Sequence, residues 1–291
     1  MAGPAPELSN RQKQVGLSIL VVALILLLSV HNLLSLGKIC MTSARDIAEI
    51  ARSTSEASKT RLLDVDLTRY QDPPAETCHP LEYAFHLLGN VKDKLVLDLG
   101  CGSGEVTVPL RQRGARVAGI DISPDLIALA QERLRRHGLD AELRVGSAYD
   151  TGLSDKSVDV VFCMSLLHHL QLDRAKNEIC RILKPDGLFI FKEPIRFSWT
   201  MRQLRRLFPP AEDVSEFEYP LNSKQIEELV EGFQVVASRS FRTPFVPLLT
   251  RTMKAAHLQK GILVRDAWVL KHFPVLTHFA TIRVMALRRT V

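Results

Sequence analysis

Cysteine is scarce and unpatterned in this chain: Cys40, Cys78, Cys101, Cys163 and Cys180 are five in number, and no pair has CxxC spacing. That argues against a disulfide scaffold and a cysteine-held zinc site, and fits a reducing, intracellular compartment. Aromatic residues are only 6% of the 291 positions, and Gly and Pro number fifteen each. Such ordinary usage excludes collagen-like and low-complexity classes. With 46% hydrophobic and 24% charged residues, the chain suits one large domain with appendages and is too apolar for a disordered one.

Acidic residues are nearly missing from one region. From Arg239 to Val291 there are ten Lys or Arg against one acid, Asp266, whereas the remainder of the chain is slightly acidic. A basic, apolar region suits an anionic lipid surface, where each nearby cation gains about 1 kcal/mol. It also suits nucleic acid.

Charge is wholly absent from Gln14 to Gly37. Within it, Val15 to Leu36 holds fifteen Leu, Ile or Val, and as a helix would span about 33 Å against a hydrocarbon core of about 30 Å. Residues 19–28 have no polar face, as a soluble surface helix would, and no small-x-small cleavage site marks a signal peptide. The expectation is a single-pass transmembrane helix over 14–37, after an N-terminal tail at 1–13 and before a juxtamembrane linker or helix at 38–78. The basic flanks differ little, and Lys38, Arg45 and Arg52 place the body on the cytoplasmic side only by a small excess.

From residue 94 the text alternates between short apolar runs and amphipathic stretches, the pattern of βα units on a parallel sheet. Strands are expected at 94–100, 115–122, 141–147, 158–165, 187–194, 233–241 and 279–287, with helices at 105–114, 124–137, 172–183 and 223–232. Ser123 followed by Pro124 and Asp125 is a helix start signal. The fold class is α/β: a Rossmann-like, doubly wound seven-stranded sheet, preceded by the transmembrane helix.

The chemistry sits in LDLGCGSG, residues 97–104. Gly100, Gly102 and Gly104 follow a buried strand and precede a helix, so the backbone can turn tightly and a ligand can approach the helix N-terminus. Asp121 ends the second strand, where an acid accepts hydrogen bonds from both ribose hydroxyls. The ligand is adenosine-like, which leaves NAD and S-adenosylmethionine. The glycine spacing is GxGxG rather than the dinucleotide GxGxxG.

At these residues the chain resembles the class I S-adenosylmethionine-dependent methyltransferases, particularly the small-molecule, methyltransferase type 11-like branch. LDLGCGSG, Asp121, GSAYDTGLSDKSVDVVFCMSLLHHL (146–170) and RILKPDGLFIFKEP (181–194) carry the resemblance. It implies an antiparallel last strand, a methyltransferase core at 79–241 and S-adenosylmethionine as cofactor. Asp98, Gly100, Cys101, Gly102 and Gly104 would hold the methionine part. Asp121 would bind the ribose and Ile122 would pack on adenine. Ser147, Ala148 and Tyr149 would contact adenine, with Ser147 in a slot where the family often has Asp. Cys163 and Met164 would lie near the methionine end.

A sulfonium methyl is already electrophilic, so the protein aligns the acceptor, excludes water and, for a hydroxyl or ammonium, removes a proton. His168 and His169 are candidate bases, with Glu193 a further one. His79, Glu82 and Tyr83 are candidates to line the substrate pocket. FSWTMRQLRRLF (197–208) and the basic, apolar insert 242–278 are expected to form a substrate- or membrane-facing surface, before the last strand and basic end at 279–291. These features describe a membrane-anchored methyltransferase for a lipophilic small molecule or lipid. Its rivals are a tethered enzyme with a soluble substrate and a non-catalytic adenosyl-binding scaffold. No NPPY- or DPPY-like motif follows the fourth strand, which argues against a nucleic-acid substrate. No metal site is expected.

Overall fold

The computed structural model describes residues 44–59, 62, 66–196, 219–252 and 255–290. The expected transmembrane helix at 14–37 and the segment 197–208 lie outside these. Among the described residues no helix is long and apolar enough to cross a membrane. The chain divides into two compact units, Met1–Ile47 and Ala48–Val291. The second carries the fold described here; of the first, only residues 44–47 are described.

Seven strands form one sheet in the order β3-β2-β1-β4-β5-β7-β6. They are β1 (Leu95–Leu99), β2 (Arg116–Asp121), β3 (Glu142–Val145), β4 (Val158–Met164), β5 (Leu183–Pro194), β6 (Phe233–Phe241) and β7 (Ile282–Arg289). The first five run parallel, and β7 is antiparallel to both β5 and β6. Strand order reverses between β1 and β4, which opens a crevice at their carboxyl ends, the place where open α/β sheets bind ligands.

The helices are α1 (Ala44–Lys59), α2 (Pro80–Leu88), α3 (Thr107–Gln112), α4 (Pro124–Arg136), α5 (Leu172–Ile182), α6 (Ser223–Val230), α7 (Phe245–Thr252) and α8 (Ala256–His272). α4 starts as its sequence dictates: Ser123 Oγ accepts from Leu126 N at 3.3 Å and Pro124 takes the first turn. α6 carries a capping box between Asn222 and Gln225, both bonds 3.0 Å.

Side chains alternate across the sheet because successive Cβ atoms point to opposite faces. Leu97, Leu99, Val161, Phe189 and Leu287 pack on one face. Val96, Phe162, Ile190 and Val284 pack on the other, against Phe85 of α2. Each such buried side chain stabilises by about 1.5–3 kcal/mol relative to exposure.

Two strand starts differ by three or more residues from the sequence expectation. β5 begins at Leu183 rather than 187, since Leu183 already pairs with Val158. β7 spans 282–289, because Phe279 closes a 3-10 turn that starts at Pro274. The insert 242–278 is built as α7, α8 and that turn. Within it Phe245, Trp268, Phe273 and Val275 are more than half exposed.

Candidate functional site

Each glycine of the turn has a separate task. Gly100 has φ +75°, and a Cβ there would lie 2.8 Å from Leu166 Cδ2; at Gly104, φ +81°, it would lie 3.0 Å from Ala130 of α4. These two let neighbours pack closely. At Gly102, φ +49°, an added Cβ would meet nothing within 4 Å. That position faces open space, the requirement for close approach of a ligand. The turn is tied to β2, since Gly100 N and Cys101 N donate to Ile120 O at 2.8 and 3.1 Å.

Asp121 stands opposite, at the end of β2. Its Oδ2 accepts from Gly102 N and its Oδ1 from Ser123 N, both at 2.9 Å. Burial raises its pKa, while those N–H groups and the nearby Arg52 charge oppose the rise. Asp98, 1% exposed, accepts from Thr107 Oγ1 at 2.6 Å. Burial, with the negative charge of Asp121, pushes its pKa up to about 7 against the pull of Thr107.

On the expected adenine side, Ile122 and Ala148 are half-buried. Ser147 Oγ accepts from Tyr149 N at 3.1 Å, and Tyr149 Oη accepts from Gln171 N at 2.9 Å. The Arg174 guanidinium sits 4.4 Å from the centre of the Tyr149 ring. Cys101 and Cys163 are both buried, Cys163 completely, and burial raises each thiol pKa. The Cys163 thiol belongs to the core cluster, so a cofactor contact expected at that position would run through its backbone. Met164, next in the strand, is half-buried.

After β4, Ser165 adopts φ +62°, a left-handed conformation sparsely populated by non-glycine residues and frequent at functional sites. It turns the chain into the 3-10 segment Leu167–His169. Glu193, fully buried near the end of β5, holds this segment. Its Oε1 accepts from Leu166 N and Leu167 N at 2.8 Å each, and its Oε2 lies 2.6 Å from His168 Nδ1. A carboxylate there makes Nδ1 the donor, which puts the imidazole lone pair on Nε2. Glu193 therefore positions His168, a role its place in the sequence did not reveal.

The sequence also missed Glu49, which lies in the stretch read as a juxtamembrane linker or helix. Glu49 Oε1 is 3.0 Å from His169 Nδ1, with both residues buried. Burial raises the Glu49 pKa, but the hydrogen bond and charge of His169, together with Arg52, outweigh this and lower it. A second contact runs from Thr54 Oγ1 to Asp125 Oδ2 at 2.9 Å. α1 thus reaches both the segment after β4 and the start of α4.

The three candidates before β1 separate. Glu82 is paired with Arg69, at 2.6 Å, and with the Thr77 hydroxyl. Tyr83 packs on Phe241, under the Arg239 guanidinium. His79 caps α2. A cavity of about 460 Å³ between α2, β6 and α8 is lined by Tyr83, Arg239 and Leu270, but by none of the glycine-turn or histidine-segment residues.

The family model described as "Methyltransferase domain" matches residues 97–191, the span that holds the glycine turn, Asp121 and the histidine segment. Residues 97–191 are a methyltransferase domain. Its cofactor is S-adenosylmethionine. The chain is 32% identical over 142 residues to the ubiquinone biosynthesis O-methyltransferase of Alkalilimnicola ehrlichii, covering 44% of this chain and 56% of that protein. To the protein of the same name from Methylococcus capsulatus it is 35% identical over 133 residues, covering 42% and 55%. The chain thus spans just over half the length of these curated relatives. Around the methyltransferase domain, the fold is similar to that of geranyl diphosphate C-methyltransferase from Streptomyces coelicolor. That likeness has a TM-score of 0.56 at 16% identity and covers 85% of this chain and 99% of that one.

Proposed function

We propose that the chain transfers the S-adenosylmethionine methyl group to a hydroxyl of a lipophilic small molecule, at a membrane. The observation that carries this reading is the His168–Glu193 pair. A hydroxyl oxygen becomes a competent nucleophile as its proton leaves, and an imidazole whose Nδ1 is held by a carboxylate accepts that proton at Nε2. His168 follows β4 and Glu193 lies near the end of the neighbouring β5, on the same edge of the sheet as the glycine turn. When bound, S-adenosylmethionine supplies the electrophilic methyl. In this reading Gly102 and Asp121 bind the cofactor, and Glu193 holds His168 in one tautomer. O-methylation by the relatives, as their names state, supports the same choice of nucleophile.

Membrane association is supported by the apolar stretch 14–37 and the exposed Phe245, Trp268, Phe273 and Val275 of the basic insert. In this reading the body faces the cytoplasm, where the methyl donor is made. To test the reading, full-length protein is incubated with tritiated S-adenosylmethionine and a catechol bearing an alkyl chain. Label in the organic phase is expected from the natural protein, with a loss of roughly 10²–10⁴-fold in His168→Gln. Undiminished transfer by that variant would remove His168 from the reaction.

A further inference from the structure

The cavity of about 460 Å³ between α2, β6 and α8 has no part in the reaction above. Its volume falls within the roughly 300–1,000 Å³ of small-ligand sites. Among the described residues that line it, Arg239, Lys271 and Arg283 stand against one carboxylate, Glu76.

One wall is the outer strand of the sheet. Among the described strands β6 pairs with β7 alone, and the outward N–H groups of such an edge have no ladder partner. Ser238, Arg239 and Ser240 are consecutive on it and all line the cavity. Arg239 is half-buried and held in place. Its Nη1 donates to the Ala75 carbonyl at 2.7 Å, and its guanidinium lies 5.1 Å from the centre of the Tyr83 ring and 4.7 Å from that of Phe241. Arg283 of β7 pairs in register with Ser240, and its Nε and Nη2 donate to Ser240 Oγ at 3.3 and 3.1 Å.

The charges do not cancel. Lys271 takes Glu76 at 3.0 Å, and both side chains are more than half exposed. Arg239 has no carboxylate partner among the described residues; it is met by a carbonyl and two aromatic rings. Three cations and one carboxylate leave a surplus of two positive charges in the described lining, which matches a phosphate monoester, close to doubly charged at neutral pH. A guanidinium offers five N–H donors, and the Ala75 carbonyl uses one of those on Arg239. Because aromatic packing already fixes the side chain, binding costs it little further freedom. The hydroxyls of Tyr83, Ser238 and Ser240 add neutral donors.

α8 brings an apolar border to this wall. Ala267, Leu270 and Lys271 share one helix face, which turns into the cavity. Trp268 and His272 occupy the neighbouring stripe with their rings stacked at 4.4 Å, and Trp268, Phe273 and Val275 are more than half exposed. Exposed aromatic surface beside a cationic pocket suits a phosphate that carries an apolar body.

We propose that this cavity is a phosphate-binding site centred on Arg239, for a phosphate monoester carried by a lipid headgroup or by a soluble molecule. It shares no lining residue with the glycine turn or the histidine segment, so it does not rest on the methyl-transfer reading.

The test titrates the full chain calorimetrically, in a neutral detergent, with inorganic phosphate, glycerol 3-phosphate and short-chain phosphatidic acid. Saturable binding is expected, weakened at least about tenfold in Arg239→Gln, the worth of a charge-assisted hydrogen bond. It should be unchanged in Lys224→Gln, which alters an exposed side chain of α6. Glu76→Gln removes the carboxylate from the wall and is expected to tighten binding roughly threefold. Binding of phosphatidic acid alone assigns a lipid headgroup, whereas binding of glycerol 3-phosphate or phosphate as tightly assigns a soluble source. Failure of all three to bind the natural protein, or equal affinities in Arg239→Gln and Glu76→Gln, overturns the site. If Arg239→Gln does not fold, Glu76→Gln, at an exposed position, decides by the sign of its effect. S-adenosylhomocysteine affinity is read on the same samples and is expected to be unchanged in every variant. Its absence in the natural protein would strike the methyltransferase reading and leave the phosphate site standing.

Discussion

Glu193 meets His168 with both carboxylate oxygens engaged: Oε2 stands 2.6 Å from Nδ1 while Oε1 takes two backbone N–H groups. One buried side chain thus fixes both the backbone of the segment and the tautomer of its histidine. Glu193→Gln keeps a carbonyl oxygen for the two N–H groups but turns an amide toward Nδ1, which favours the opposite tautomer. Turnover is expected to fall by roughly 10²–10⁴-fold. Cofactor affinity should hold, and stability should fall by about 1–3 kcal/mol. Steady-state rates, calorimetry and urea melts of one preparation check the three together.

Asp121→Ala removes the acceptor expected for the ribose hydroxyls and also releases Gly102 N and Ser123 N. Cofactor binding is expected to weaken by about 2–4 kcal/mol, the size of two charge-assisted hydrogen bonds. Calorimetry with S-adenosylmethionine measures this, and unchanged affinity would take Asp121 out of the site.

Two alanine substitutions in one turn should act differently. Gly102→Ala adds a methyl where no protein atom lies within 4 Å, whereas Gly104→Ala drives one against Ala130. Both add about 1–2 kcal/mol of left-handed backbone strain; beyond that, Gly102→Ala is expected to cost cofactor affinity, and Gly104→Ala about 1–3 kcal/mol more in stability from overpacking. Melting curves beside binding isotherms separate them, and the reverse pattern would reassign the two glycines.

Asp98 ties stability to pH. Its pKa is about 7 in the fold, against an ordinary value of 3.8. Between these values the folded chain holds a proton that the unfolded chain has lost. This group therefore makes stability fall as pH rises through that window, with the full loss present above it. Asp98→Asn cannot ionise, so denaturant melts at pH 5 and pH 8 should show a smaller decline than the natural protein. Equal declines would contradict the assignment.

Deleting residues 1–37 is expected to release the protein from membranes and leave cofactor affinity intact. Deleting 1–59 also removes Glu49, Arg52 and Thr54, leaving His169 and Asp125 without those partners. The longer deletion should weaken cofactor binding. Vesicle sedimentation and calorimetry distinguish the two truncations.

What was legible in the sequence was mostly local. The glycine turn, the Ser123 cap and the central strands follow from residues a few positions apart, where backbone freedom, capping and periodicity decide. His168 and Glu193 were each recognisable as ionisable groups after strands, but their pairing comes from β4 and β5 lying side by side, a tertiary fact. Glu49 carried no such mark. Its partner is 120 positions away, and its polar stretch reads as a juxtamembrane linker or helix with nothing to mark a contact with the core. Arg239 was equally hidden, for only folding sets its guanidinium beside the Tyr83 ring.

The antiparallel β7 imposes an order on assembly. The cofactor half of the sheet, from β3 through β5, is complete once residue 194 has been made, and its parallel strands need nothing further along the chain. β6 pairs with β7 alone among the described strands, so it waits for residues 282–289. The cavity lined by Arg239 of β6 and Arg283 of β7 takes shape only then. During synthesis the half of the sheet that carries the glycine turn can therefore close before the β7–β6 half exists.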